Sequence, residues 1–297
     1  MHRSWRDLSL ALALCASGVA APARAAEPAA IPAPAAAPAD TVFVQSLAWS
    51  PDGRRLLLSV LERGVYRLEW VGVDDSMSVA LTQGPGWDLW GSWSPDGERV
   101  VFQSSPHKRD APARLEVMRL DGSERTTLAP DSVADSAPDW SRDGSEIAFS
   151  SARAGGRRIF AVRPDGSGLR RVGAGSGREF NPVWSPDGRQ LVFYRSYASG
   201  RDTVCVMNAD GSGVRPLAAG FFPGWSPDGK RILFAGEGRR LYTVPVNGGR
   251  VRPVTGGFFG RWSPDGRRLA VIRGNWPRSE VWIVKPDGSA GRRLAIR

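Results

Sequence analysis

One phrase recurs six times along this chain: AWSPDGRRLLLSV, SWSPDGERVVFQS, DWSRDGSEIAFSS, VWSPDGRQLVFYR, GWSPDGKRILFAG and RWSPDGRRLAVIR. Its tryptophans, Trp49, Trp93, Trp140, Trp184, Trp225 and Trp262, follow one another at intervals of 44, 47, 44, 41 and 37 residues. Self-similarity of this period confines a chain to folds in which one supersecondary unit is repeated and buries its apolar face against its neighbours. Each phrase is followed by a second apolar run that ends in a tight turn, such as LEVMRLDGS, IFAVRPDGS or VWIVKPDGS, and then by a short third run.

The turns specify the local structure. In S-P-D-G, Pro pre-sets φ at the second turn position, Asp suits the third, and Gly takes the left-handed position. D-G and N-G are the strongest short signals for a hairpin. The runs between turns are short and rich in Val, Ile, Leu, Phe and Tyr, as strands require. Each unit therefore holds four strands: one ending at the Trp, one after S-P-D-G, one before D-G and one after it. The second strand is apolar at consecutive positions (Leu56-Leu57-Leu58, Val100-Val101-Phe102, Ile232-Leu233-Phe234), which predicts burial on both faces. The expected fold is all-β: a six-bladed β-propeller of four-stranded blades over residues 41–297. All six units are complete, so a blade shared between the two ends is neither required nor excluded.

Two segments precede the propeller. Residues 1–25 combine a basic start, an apolar stretch and Ala23-Arg24-Ala25, the pattern of a cleaved secretory signal. The apolar stretch is too short to span a bilayer, and Leu14 before Cys15 does not fit a lipoprotein signal. Residues 26–40 form an Ala/Pro-rich linker that cannot build a core. The expected location is periplasmic or secreted, with cleavage after Ala25. The export route would permit disulfides, but only Cys205 remains beyond the leader.

The phrase DSAPDWSRDGSEIAFSSARAGGRRIFAVRPDGSGLRRV resembles the repeat of TolB-like six-bladed β-propellers, and the resemblance covers the chain beyond the linker. It implies a periplasmic binding or scaffold module of the kind that serves the Tol–Pal envelope system. Where TolB carries an α/β domain before its propeller, this sequence has only the Ala/Pro tract. Related repeats also form the non-catalytic propellers attached to prolyl-oligopeptidase-type hydrolases, so fold alone does not fix function.

Chemistry-bearing motifs are few. GWSPDGK (224–230) has the glycine and lysine spacing of a phosphate loop, but Arg231 stands where Ser or Thr should hold magnesium, and RILFAG reads as a strand, not a helix. The only His beyond the leader is His107, in a polar loop, whereas zinc needs three or four N or S donors. Cys205 occupies a position filled by Tyr66, Phe160, Tyr242 and Trp282 in sister repeats and reads as a small buried hydrophobe. No G-x-S-x-G elbow is present.

What varies between blades is the position five before each motif Trp: Val44, Asp88, Asp135, Glu179, Gly220 and Gly257. This position lies in the loop entering the innermost strand, near one mouth of the central channel. Three consecutive blades are acidic there, and the resemblance places partner binding in this region of the propeller. The neighbouring aromatics are Trp87 and Trp90 in GWDLWGSW, Phe221 and Phe222 in GFFPGW, and Phe258 and Phe259 in GFFGRW. One reading is a mouth acidic on one side and aromatic on the other that takes a peptide or cationic ligand. The other is that the aromatics fill the layer under a narrow channel while the acids cap turns.

No cofactor is expected, although an acidic channel makes calcium a candidate occupant. The formal net charge is +10, and nearly all of the basic residues are Arg. These cluster in hairpins and on last strands (Arg153, Arg157, Arg158, Arg170, Arg171), where charge blocks edge-to-edge pairing or grips an anionic envelope polymer. Export sets nucleic acid aside as a partner. The expectation is a monomeric, non-catalytic module binding an envelope protein or peptide. The alternatives are a hydrolase or lyase working through channel carboxylates, and a propeller that docks a separate peptidase.

Overall fold

In the computed structural model the described residues are 42–296, apart from 76, 107–111, 130–133, 174, 198, 199 and 201. The expected leader (1–25) and linker (26–40), His107 and Lys108 therefore lie outside them.

Six four-stranded antiparallel sheets stand around a central channel, each built from four strands consecutive in sequence. The innermost strands are Phe43–Trp49, Trp87–Trp93, Ser136–Trp140, Arg178–Trp184, Phe221–Trp225 and Phe259–Trp262. The second strands are the most buried: Leu56, Leu57 and Leu58 are at most 1% exposed, and Val100, Val101 and Phe102 are fully enclosed. Consecutive apolar residues are needed there because both faces of the strand meet protein.

The S-P-D-G turn is a small hydrogen-bonded unit. At GWSPDGK, the Ser226 hydroxyl donates to Asp228 Oδ1 at 2.6 Å, and the same oxygen accepts the Lys230 N–H at 3.0 Å. Gly229 takes φ of +68° and donates its N–H to the Ser226 carbonyl at 2.9 Å. Those bonds, the Ser226 hydroxyl first, hold the Asp228 carboxyl below its ordinary range. The motif Trp couples blades. Trp93 and Trp225 donate their indole N–H to the carbonyls of Ala48 and Val183 in the preceding blade, at 3.3 and 3.0 Å.

Among the described residues no strand is shared between the first and last blades, so side chains and packing close the ring. Trp49 donates to the Arg261 carbonyl at 3.1 Å, repeating the bond made between other blades. The Ser279 hydroxyl accepts the Val44 N–H at 2.7 Å, and Phe43 stacks on Phe258 at 5.9 Å.

Candidate functional site

The channel wall is made by the innermost strands, and one irregularity decides what they show. In blades 2 to 5 three residue steps on the innermost strand oppose two on its neighbour: Leu89 to Ser92, Ser136 to Asp139, Phe180 to Val183 and Phe221 to Gly224. Blade 1 carries an extra residue between Val44 and Ser46. Each is a β-bulge, with Trp90, Ala137, Asn181 and Phe222 at φ of +48° to +56°. An added residue reverses the alternation of side chains. The position five before the Trp, expected in the entering loop, lies inside the innermost strand in blades 1, 2 and 4 (Val44, Asp88 and Glu179).

The three mouth carboxylates each meet an arginine of their own blade. Glu179 is fully buried and sits cross-strand from Arg195, whose Nη2 donates to it at 2.7 Å. Asp135, also fully buried, accepts Arg153 Nη2 at 2.6 Å. Asp88 is 6% exposed, with Arg125 at 3.4 Å. Burial raises the Asp88 carboxyl, with Ser104 and Arg125 opposing and Glu116 adding to the rise. The backbone at this position latches blades together: the N–H groups of Asp135, Glu179, Gly220 and Gly257 donate to Ala113, Arg157, Asp202 and Arg239 of the preceding blade.

The aromatics divide into groups. Trp90, Phe222 and Phe259 come from blades 2, 5 and 6 and meet over the channel, with ring centroids 5.4 to 5.6 Å apart. Blades 2 and 5 stand opposite each other, so these rings close the channel from wall to wall. Phe221 packs edge-on to Phe222 at 5.1 Å. Phe258 belongs to the ring closure beside Phe43. Half-buried Trp87 packs edge-on to Tyr66 at 5.7 Å and donates to the Gly64 carbonyl.

Below the aromatic plug lies a cavity of about 40 Å³, room for little more than water. Asp139 and Arg261 reach it from opposite blades. Asp139 Oδ2 accepts the Trp184 N–H at 2.9 Å, and Arg261 Nη1 donates to the Gly260 carbonyl at 3.0 Å. The Arg261 guanidinium also lies 4.4 Å from the Phe259 ring centroid, under the plug. Burial pushes the Asp139 carboxyl up to about 6, against the Trp184 amide and Arg261, and pushes Arg261 down to about 10. Both are half-buried, lining the cavity between them.

Sequence reasoning passed over this acid–base couple. Its signal was the residue just before each Trp, which reads Ala48, Ser92, Asp139, Val183, Gly224 and Arg261. Among the described residues no three His, Cys, Asp or Glu side chains gather as a metal site.

A family model for the TolB beta propeller domain matches residues 106–257. An uncharacterized protein of Agrobacterium fabrum is 32% identical over 109 residues, 34% of this chain and 37% of that protein. The chain thus aligns with little more than a third of that relative. The structure of a putative TolB from Agrobacterium tumefaciens superposes with a TM-score of 0.68 at 20% identity, over 76% of this chain and 87% of that one. TolB from Acinetobacter baumannii gives 0.62 at 20% identity, over 71% and 56%. An oligogalacturonate lyase in complex with manganese gives 0.55 at 14% identity, over 84% and 91%, a likeness of fold alone. With half of its length matched by the family model and six such blades in the structure, the chain belongs to the TolB β-propeller family.

Proposed function

We propose that this propeller is an exported, non-catalytic binding or scaffold module of the cell envelope, working through its outer faces. The observation that carries the reading is the shut channel. The rings of Trp90, Phe222 and Phe259 span it, and the cavity beneath, about 40 Å³, is far below the roughly 300–1,000 Å³ of small-molecule sites. A partner protein or peptide then meets the rim around the plug. Half-buried Trp87 offers part of its ring there, and Asp88, Asp135 and Glu179 hold Arg125, Arg153 and Arg195 in place. The leader-like first 25 residues support export, and no helix among the described residues is long and apolar enough to cross a membrane.

Affinity capture from envelope extracts tests the reading, with the wild-type protein, Trp87→Ala and the double variant Phe222→Ala/Phe259→Ala as baits. A partner retained by the wild type and lost from Trp87→Ala is expected. Equal capture by all three would remove the mouth as the contact surface.

One observation favours a second reading. An Asp with its carboxyl near 6 facing an Arg has the form of an acid–base couple, as a lyase or hydrolase would need. Cleavage of oligogalacturonate by the purified protein, abolished in Asp139→Asn, would establish this reading and overturn the first.

A further inference from the structure

Any position in this fold can be compared six times within one molecule. Five residues past the motif Trp, at the end of the S-x-D-G turn, stand Arg54, Glu98, Ser145, Arg189, Lys230 and Arg267. The facing position, where the third strand enters its own turn, holds Gly72, Arg119, Arg163, Asn208, Pro245 and Lys285. Backbone bonds fix the correspondence. The carbonyls of Arg54, Glu98, Arg189 and Lys230 accept the N–H groups of Val73, Leu120, Ala209 and Val246, each one residue past the facing position. In blades 3 and 6 that next residue is Pro164 or Pro286, which has no N–H to give.

In blade 2 the facing side chains are an ion pair, Arg119 Nη2 to Glu98 Oε2 at 3.4 Å. Blade 6 is the one blade with a cation at both positions, Arg267 and Lys285. Both line a cleft of about 420 Å³, together with Arg268 and Arg292 and the buried Ile283 and Val284, 6% and 2% exposed.

Arg268 and Arg292 are already committed to the ring closure. Their guanidinium groups lie 3.4 and 3.0 Å from Asp74 Oδ1 and donate to the carbonyls of Gly53 and Val73 at 3.0 and 2.6 Å. Arg267 and Lys285 are exposed and make no salt bridge among the described residues. The nearby acids, Asp265 and Asp287, are held in their own turns by the hydroxyls of Ser263 and Ser289, each at 2.6 Å, and attract Arg267 and Lys285 from there without forming a salt bridge.

We propose that this cleft binds an oxyanion carried on an apolar body, a phosphate or carboxylate group held between Arg267 and Lys285 with its substituent over the small part of Ile283 that the cleft leaves open. The site lies apart from the channel mouth and goes beyond the partner-binding reading given for it. Like charges facing each other repel when the cleft is empty, and an anion between them restores the neutrality that Glu98 supplies in blade 2. Guanidinium and ammonium donors make the strong, short class of hydrogen bond to such oxygens. The volume falls within the roughly 300–1,000 Å³ typical of small-ligand sites.

The test is calorimetric titration of the purified protein with phenyl phosphate, benzoate and inorganic phosphate, in chloride at constant ionic strength. Saturable binding of phenyl phosphate or benzoate is expected, tighter than inorganic phosphate, and the ligand that saturates identifies the oxyanion. Arg267→Glu recreates the charge pattern of blade 2. It should keep the thermal midpoint of the ligand-free protein and weaken binding by about tenfold or more. Arg189→Glu, the same position in blade 4, should leave binding unchanged. If Arg267→Glu does not fold, Lys285→Ala decides by the same loss. Absence of saturable binding by both aromatic anions, or wild-type affinity in the blade 6 variant, would overturn the proposal.

Discussion

Replacing Asp139 by Asn should stabilise this protein near pH 8 and do little near pH 4. The Asp139 carboxyl is pushed from its ordinary 3.8 up to about 6, by burial first, with the Trp184 amide and Arg261 opposing. A raised carboxyl means that the folded state holds the proton more tightly than the unfolded chain does. Its contribution to stability is therefore fully present below about pH 4 and is lost as pH rises through about 6. At about 1.4 kcal/mol for each tenfold change in proton affinity, the gap is worth about 3 kcal/mol. Asn cannot ionise, yet it still offers an oxygen to the Trp184 N–H, which Asp139 Oδ2 accepts at 2.9 Å. The stability gained should thus grow from near zero at about pH 4 to about 3 kcal/mol at about pH 8. For a domain of this size that is about 6–12 °C in Tm. Urea and thermal unfolding of both proteins across that pH range would measure it. A gain that stays flat with pH, or an Asn variant less stable at pH 8, would refute the argument. It would mean that the attraction of Arg261 outweighs the burial of Asp139.

Three further outcomes follow from the packing. Phe259→Ala, at a ring 1% exposed against Trp90 and Phe222, should cost about 3–5 kcal/mol in urea unfolding. Trp276→Ala, 39% exposed, should cost about 1 kcal/mol or less, and equal costs would count against a packed plug. Glu179→Ala removes the carboxylate that the Arg195 guanidinium, its side chain only 10% exposed, meets at 2.7 Å, and should cost about 3–5 kcal/mol. A neutral result would show that Arg195 does not need the carboxylate. At the ring closure, Ser279→Ala loses the acceptor of the Val44 N–H and should cost about 1–3 kcal/mol. Asp74→Ala, at a side chain 72% exposed, should cost under about 1 kcal/mol. The reverse order would move the strength of the closure from its interior to its rim.

The architecture was legible because every local signal was repeated six times with the same meaning: turn, strand, turn, strand. The site was less so. Reading back five residues from the Trp places Asp88, Asp135 and Glu179 in the loop entering the innermost strand, whereas Asp88 and Glu179 stand inside that strand and all three carboxylates meet arginines. The bulges lengthen the innermost strand's side of the pairing, and a bulge is a relation between two strands, invisible in either one alone. A trace exists in the Pro that follows Ala137, Asn181 and Phe222, although Trp90 makes the same turn without it. The partners of the acids were also out of reach, since Arg125, Arg153 and Arg195 stand 37, 18 and 16 residues away. Asp139 and Arg261, by contrast, could have been found by setting the six phrases in register and reading the column before the Trp.

That column also bears on how the ring holds together. Because no strand is shared, the contact between the last and first blades has to be as strong as the others by side-chain and packing means alone. It succeeds by reusing the bond that joins other blades, the Trp49 indole to a carbonyl one residue before a motif Trp. The carbonyl is that of Arg261, whose own guanidinium faces Asp139 across the channel. The residue that closes the ring with its backbone thus carries, on its side chain, half of the buried charge couple. A substitution at Arg261 removes the guanidinium but keeps the backbone carbonyl that accepts the Trp49 N–H. Asp139→Asn is still the cleaner probe of the channel, because an Arg261 variant also strips the cation from under the Phe259 ring and the donor from the Phe222 and Gly260 carbonyls.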